Sequence, residues 1–309
     1  AELWNKDYKN VIEHCNKALG VAKPNEKAIF QIKQAKAYEL LEDDAPAKTV
    51  LEELLKNDPA NKEAKELLDN ITSRSYKNAV SASYLNVAFS NPGNAPWHYS
   101  YLEYKRNFKK CPVLARVNYA NTAGQDGYQV EADAYPKLGK GTYAYLNGGY
   151  SSSNDLFPGL RAGADVYQKL VRGFEMSLGA RYLHYSTEDV VIYTIYAGKY
   201  YKNLWFAYRP FAVAKDGDVF FSHTGTIRKY FSNPENYISL NLIYGATPYT
   251  TASFIDINKV NSQRIGIDFQ YKIAKSFLIK PMFSYEYEEY FPRLFRNRFY
   301  SQLILIKRF

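Results

Sequence analysis

The chain has little of what builds a metal centre, a redox site or a disulfide scaffold. Cys15 and Cys111 are its two cysteines in 309 residues. They lie in different segments, and neither has a second sulfur or a histidine at ligand spacing. Four histidines are scattered without a paired motif. No glycine-rich phosphate loop and no zinc spacing occurs. No cofactor and no metal are therefore expected. An unbroken run of about 18 apolar residues is missing, which excludes a transmembrane helix. A secretory leader is missing too. The chain opens at Ala1 inside what already reads as helix, so a trimmed start, with sequence upstream, is expected.

Aromatic residues, by contrast, are abundant. Thirty tyrosines and 18 phenylalanines bring the aromatic share to 17%. Tyrosine at this density suits a surface that is apolar along the ring and wet at the hydroxyl. Mean hydropathy is −0.43, a value usual for soluble chains. A barrel whose strands alternate lipid-facing and lumen-facing residues averages to the same value. The formal charge is +9. It is concentrated beyond residue 75, since the first 75 residues carry a slight acidic excess.

Two periodicities divide the chain. Residues 1–71 read as helix, with Val50, Leu51, Leu54 and Leu55 on one face among Lys and Glu. Ala35, Tyr38, Leu41, Ala47, Leu51, Leu54 and Pro59 resemble a tetratricopeptide repeat, and Asn57 to Asn61 its inter-repeat turn. A looser unit holds Trp4, Tyr8, Val11, Ala18 and Pro24. A plain helical hairpin is the simpler reading. Residues 70–76 read as a linker, and 76–309 as the second domain.

From about Lys77 the period becomes two. Phe174, Met176, Leu178, Ala180 and Tyr182 share a face opposite Gly173, Glu175, Ser177, Gly179 and Arg181. Ile265, Ile267, Phe269, Tyr271 and Ile273 oppose Arg264, Gly266, Asp268, Gln270 and Lys272. One face is apolar; the other holds charge and glycine. The runs last about ten residues, which crosses a bilayer at a tilt of about 45°, whereas sandwich strands are nearer ~5–6 residues. The expected fold is an all-β transmembrane barrel of about fourteen antiparallel strands, with twelve or sixteen also open. A small N-terminal α-helical, tetratricopeptide-like segment precedes it.

The connections alternate in character. Lys109-Lys110, Leu138-Gly139-Lys140, Leu170-Val171, Lys202-Asn203 and Ala274-Lys275 mark tight turns, many of them basic. Segments 91–95, 152–158, 246–259 and 290–295 are longer and richer in Gly, Pro, Asn and Ser. Short turns inside and longer loops outside are the asymmetry of outer-membrane barrels. That phase puts both chain ends, and so the helices, on the periplasmic side. The final strand ends in Phe309 with Leu305 and Leu303 on its face. It is similar to the C-terminal strand read by the bacterial barrel-assembly machinery, with Lys307 departing from the pattern.

Helical repeats followed by a Tyr-rich barrel, with hairpins such as Tyr167 to Arg172 and Tyr196 to Trp205 and the terminal Phe309, resemble the YaiO family of outer-membrane β-barrel proteins. The resemblance is strongest over 76–309. It implies the outer membrane of a Gram-negative bacterium and names no catalytic residue. The layout is also similar to exopolysaccharide export porins, although the repeat segment here is much shorter.

By parity, the lumen-lining set is Arg116, Glu131, Asp133, Arg161, Asp165, Glu175, Arg181, Arg209, Arg264, Asp268 and Lys280. The simpler reading is a ladder of ion pairs that keeps charge out of lipid. The sharper one is a conducting path selective for anions or acidic polysaccharide. Lys110, Lys140, Arg172, Lys202 and Lys275 are expected at lipid headgroups. Tyr200, Tyr201, Trp205, Tyr285 and Tyr287 are expected in an aromatic girdle, with sugar-guiding rings as the alternative. Glu286, Glu288 and Glu289 read as a solvated acidic cluster at the outer rim, or as a calcium site.

The expected function is a passive channel or export pore for a polysaccharide or another anionic solute. Its partners would be outer-membrane lipid, the assembly machinery and a periplasmic protein contacted through residues 1–71. A plugged barrel serving as a structural anchor is the second reading. A barrel hydrolase, needing His184 or His223 beside a serine and a carboxylate, is the third. Nucleic-acid binding is not expected, because the basic residues alternate with apolar ones instead of clustering.

Overall fold

The computed structural model describes residues 7–41, 43–90, 94–152, 156–215, 217–231, 233–245 and 261–309. The chain divides between Tyr76 and Lys77 into two compact units.

The first unit holds four helices: α1 (Tyr8–Val21), α2 (Pro24–Leu40), α3 (Asp44–Asn57) and α4 (Lys62–Ser75). Asn61 caps α4, its side-chain oxygen accepting from the Ala64 amide at 3.0 Å. Pro24 occupies the first turn of α2, where a missing N–H costs nothing. Ala35, Ala47 and Ala64 are buried with Ile32, Leu51, Leu54, Leu67 and Ile71; the small side chains let the helices approach closely. The expected linker at 70–76 is corrected, since α4 runs to Ser75. Ala64, Leu67 and Ile71 continue the buried stripe at spacings of three and four, so packing carries the helix through that segment.

The second unit is a sheet of β1 (Asn78–Phe89), β2 (Trp97–Arg106), β3 (Val113–Thr122), β4 (Gln125–Ala134), β5 (Lys137–Gly139), β6 (Thr142–Ser151), β7 (Leu160–Lys169), β8 (Phe174–His184), β9 (Asp189–Tyr201), β10 (Leu204–Lys215), β11 (Asp218–Tyr230), β12 (Tyr237–Tyr244), β13 (Asn261–Ala274), β14 (Phe277–Phe291) and β15 (Leu294–Arg308). Neighbours pair antiparallel in chain order, and β15 returns to β1. Short β5 prolongs β4 beyond Tyr135-Pro136, and both pair with β6. The result is a closed antiparallel barrel of 14 staves.

The seam is closed by backbone bonds between Asn78 and Phe309, N to O at 2.9 Å and the reverse at 3.0 Å. Asn78 and Phe309 define one rim, called here the terminal rim. The opposite, loop rim carries the segments after β1, β3, β6, β8, β10, β12 and β14. The β3–β4 connection on the loop rim is a two-residue turn, with Ala123 at φ 52° and Gly124 at φ 80°. The expected loop 246–259 lies outside the described residues, as do 91–93 and 153–155.

Two prolines sit within strands and leave gaps in the ladder. The β9–β10 register skips from Tyr208↔Ala197 to Phe211↔Thr194 around Pro210. The β13–β14 register skips from Asp268↔Met282 to Tyr271↔Ile279 around Pro281. Each lacks the N–H its neighbour would accept.

The two faces differ as the alternation predicts. Leu178 is 66% exposed, and Met176, Ile265, Phe269, Tyr271, Ile273 and Phe283 are exposed with it. Asp165, Glu286 and Glu288 are fully buried. Apolar outside and polar inside is the reverse of a water-soluble fold, and it is the arrangement a hydrocarbon solvent selects. Ten residues at ~3.3 Å rise and ~40° tilt span about 25 Å, the height of the apolar band of such barrels.

Candidate functional site

The barrel interior collects the charged residues into ion-paired groups; three of them hold the sequence-derived charges, and another joins Glu235 to Lys272 at 3.1 Å and to Arg308 near the terminal rim. In the first, Arg116 on β3 donates from Nη2 to Glu103 Oε2 at 2.6 Å and from Nη1 to Glu131 Oε2 at 2.8 Å. Asp133 Oδ2 lies 3.7 Å from the same guanidinium. Arg161 on β7 reaches Glu131 Oε1 at 2.5 Å and donates from Nε to Asn147 Oδ1 at 2.9 Å. Asn147 in turn donates to Asp133. This loop of contacts spans five strands.

In the second group Asp165 on β7 accepts from Arg181 Nη2 at 2.8 Å and Arg209 Nη1 at 3.1 Å. Arg209 belongs to β10, so the bond passes over β8 and β9 and can run only through the concave side. The Arg209 Nη2 also donates to the Tyr167 hydroxyl at 2.7 Å.

The third group lies on β12 to β15. Asp268 accepts from Asn241 Nδ2 at 2.8 Å, with Lys280 Nζ at 3.9 Å. Arg264 Nε stands 4.0 Å from Glu286, which also accepts from the Tyr300 hydroxyl. Glu288 Oε1 lies 2.5 Å from both Arg296 Nε and Arg298 Nε.

Thus the sequence-derived residues Arg116, Glu131, Asp133, Arg161, Asp165, Arg181, Arg209, Arg264, Asp268 and Lys280 fall in these groups, all on the inward face. Glu175 shares that face, beside Tyr143 near the terminal rim. Sequence reasoning missed Glu103, Arg296 and Arg298, whose parity within β2 and β15 would have found them. It placed Glu286 and Glu288 wrongly. They are not a solvated outer cluster but fully buried carboxylates, Glu288 against Arg296 and Arg298 and Glu286 accepting from the Tyr300 hydroxyl; their even positions in β14 point inward beside Arg296 and Arg298. No metal-binding cluster occurs among the described residues.

Glycine on the inward face makes room for the long side chains. A Cβ at Gly149 would lie 2.8 Å from Arg161 Cγ, and one at Gly179 would overlap the Asp165 carboxylate. The alternation of charge with glycine is therefore a packing rule: each of these glycines leaves the volume that a neighbouring strand's ion fills.

The lumen is not polar throughout. Toward the loop rim, Leu85, Val87, Trp97, Tyr99, Ala120 and Tyr300 form a buried apolar cluster. Leu156 and Phe157 of the β6–β7 loop fold into it, and Gln129 Nε2 donates to the Pro158 carbonyl at 3.5 Å. A second cluster, with Leu183, Tyr185, Val190, Ile192, Phe211 and Val213, lies on the opposite wall. Beneath Phe157 is a cavity of about 150 Å³ lined by Arg116, Arg161, Glu131, Gln129, Tyr101 and other polar residues.

The outer surface carries hydrogen-bonded tyrosines near the loop rim. Tyr84 bonds His98 at 2.8 Å, Tyr119 bonds Asp126 at 2.7 Å, Tyr208 bonds His223 at 2.8 Å and Tyr285 bonds Asn297 at 2.8 Å. On the terminal rim Tyr104 donates to Asn78 at 2.8 Å. Rings toward lipid and hydroxyls toward a polar partner are the chemistry of an interfacial belt. Tyr201, Tyr285 and Tyr287 are outward and exposed, as expected of a girdle. Tyr200 and Trp205 are corrected: they share the inward register of Tyr196 and Arg209.

Lys307, the departure in the last strand, faces outward and donates to Ser276 Oγ at 2.8 Å on the terminal rim. Lys110, Lys140, Arg172, Lys202 and Lys275 are exposed on the same rim. His184 Nδ1 pairs with Asp189 at 2.7 Å on the outer face, and His223 pairs with Tyr208. Neither of these bonds is to a serine.

No curated protein matches the sequence. Solved structures similar to it are outer-membrane barrels. The CymD monoaromatic hydrocarbon channel is 7% identical, with TM-score 0.52, over 79% of this chain and 91% of its own. A bacterial polysaccharide outer membrane secretin is 8% identical, with TM-score 0.51, over 76% and 99%. The Acinetobacter baumannii outer membrane protein Omp33 is 14% identical, with TM-score 0.49, over 76% and 98%. At such identities the likeness concerns the fold alone. Residues 77–250, more than half of the chain, match the model of the YaiO membrane beta barrel domain. With its closed barrel, inverted polarity and tyrosine belt, the chain belongs to the YaiO family of outer-membrane β-barrel proteins.

Proposed function

We propose that the barrel is a passive outer-membrane channel for an anionic solute or polysaccharide, and that residues 1–71 stand in the periplasm and contact a protein partner there. The observation that carries this reading is the ion-paired interior with a polar cavity beside Arg116 and Arg161. An interior needed only as a core would be filled more cheaply with apolar side chains, because each buried ion carries a desolvation cost of several kcal/mol. Mixed charges at a constriction give selectivity without a deep trap. The short interval between α4 and β1, which begins at the terminal rim, supports the periplasmic placement. Exposed Lys110, Lys140, Arg172, Lys202 and Lys275 on that rim suit anionic headgroups. Phe309, after the last strand, suits the aromatic signal that barrel-assembly machinery reads.

A second reading, the plugged anchor, is favoured by Leu156 and Phe157 packed inside the lumen. Reconstitution into planar bilayers separates the two. The channel reading expects discrete conductance steps with anion preference, and larger steps for Phe157→Ala. Silent bilayers for both proteins would establish the anchor and remove the channel.

A further inference from the structure

Arg228 breaks the rule that the inward arginines obey. Arg116, Arg161, Arg181, Arg209, Arg296 and Arg298 each hold a carboxylate. Among the described residues, no carboxylate lies within ion-pair distance of Arg228. Its Nε donates to Ser239 Oγ at 2.9 Å, and its guanidinium lies 3.9 Å from the Tyr237 ring centroid and 4.8 Å from that of Trp205. Two further rings extend the wall. Tyr200 sits 6.2 Å from Trp205 and 6.5 Å from Tyr230, nearly parallel to Tyr230 at 26°. Tyr230 meets Tyr237 edge-on at 5.9 Å. Consecutive strands β9 to β12 thus gather four aromatic rings at the terminal-rim mouth of the lumen, two of them flanking a cation that no carboxylate among the described residues pairs.

This arrangement is pre-organised for a particular ligand. A guanidinium flanked by rings is already oriented, and its fork matches a carboxylate with two parallel hydrogen bonds. Tyr200 is 50% exposed, so it offers a face to a ligand. Sugar rings present flat C–H faces that pack on such a surface. A ligand with one negative charge per ring-sized apolar face uses both features, and that is the repeat of a uronic-acid chain. A bare phosphate would use the cation and leave the exposed ring idle.

We propose that Tyr200, Trp205, Arg228, Tyr230 and Tyr237 form a binding site for a uronic-acid residue of an acidic oligosaccharide. The carboxylate is held by Arg228, and the sugar face rests on Tyr200 and Tyr230. The site serves transport only if the barrel is a channel, but its binding is measurable without conduction.

The test uses the full chain in detergent, followed by tryptophan fluorescence on titration with a short oligouronate. A neutral maltooligosaccharide of equal length and inorganic phosphate are the comparison ligands. Saturable binding of the oligouronate is expected, with weak or no response to the other two. Arg228→Gln is expected to weaken it about tenfold or more, the loss of charge-assisted hydrogen bonds. Arg228→Lys is expected to fall between, keeping charge without the fork, and Tyr200→Ala to weaken binding while leaving the Arg228 arm intact. An unshifted heat-modifiability on gels shows that each variant folds. Equal affinity in wild type and folded Arg228→Gln, phosphate binding as tight as the oligouronate, or no oligouronate binding would each overturn the proposal. Conductance without oligouronate binding would remove the site and leave the channel; binding without conductance would remove the channel and leave the site.

Discussion

Asp165 is the residue whose loss the barrel interior should feel most. Its carboxylate is fully buried and is shared by Arg181, itself 5% exposed, and Arg209, 11% exposed. Asp165→Asn keeps the shape and removes the charge, leaving two guanidinium groups in a confined space with one neutral amide between them. Breaking a buried pair by removing one partner costs about 3–5 kcal/mol. Arg209 is cushioned by the Tyr167 hydroxyl at 2.7 Å and by the Tyr196 ring at 4.9 Å, which places the expected loss toward the lower end, about 3 kcal/mol. With a urea slope of about 1–3 kcal/mol per molar, the unfolding midpoint in detergent micelles should fall by about 1–3 M. The measurement is urea titration followed by tryptophan fluorescence and by the band shift of unheated samples. Pairing Asp165→Asn with Arg181→Met should recover much of the loss, since one of the two stranded cations goes with it. A midpoint within about 0.3 M of wild type for Asp165→Asn, less than a third of the smallest shift expected, would refute the reasoning. It would mean that lumen water already screens these ions.

Three further outcomes test other parts of the structure. Gly179→Ala should lower the same midpoint, because its Cβ would meet Asp165 and stand 2.8 Å from the Ala164 carbonyl, while Gly148→Ala, with open space around it, should not. Leu178→Arg places a charge on the exposed face and should cost about 2–4 kcal/mol in lipid bilayers if that face lies at mid-membrane, with a much smaller effect in micelles, as read by parallel refolding titrations. Ile71→Asp puts a charge into the fully buried face of α4 and should unfold the helical unit, seen as lost helical circular dichroism, with the barrel's heat-modifiable band unchanged.

The strand pattern was legible because one solvent lies outside the barrel and another within. Alternation of Leu178 with Gly179, or Ile267 with Asp268, states the face of every residue without any contact being known. Parity also placed Arg116 and Asp165 inward. It could not say which ions pair, since Arg209 meets Asp165 across two intervening strands. The acidic run at Glu286 to Glu289 misled because composition alone suggests a solvated cluster; the matching arginines stand on the next strand. Tyr200 and Trp205 were read as belt residues from type and nearness to a strand end, although their positions relative to Arg209 already turn them inward. The inward fold of Leu156 and Phe157 had no periodic signal, because a loop has none. The helix extending to Ser75 was visible in Ile71 but hidden by the polar residues around it.

The seam between β1 and β15 has a bearing on how the molecule is made. Its partners are distant in sequence: Gln302 bonds Ser83 across 219 positions. Every other stave finds a neighbour as soon as the next hairpin forms, yet the first strand waits for the last. Until then the growing sheet carries two raw edges able to recruit foreign strands, and no partial product is a smaller version of the finished cylinder. Production is therefore all-or-nothing, and a chain truncated by one strand would be an aggregation hazard rather than a narrower barrel.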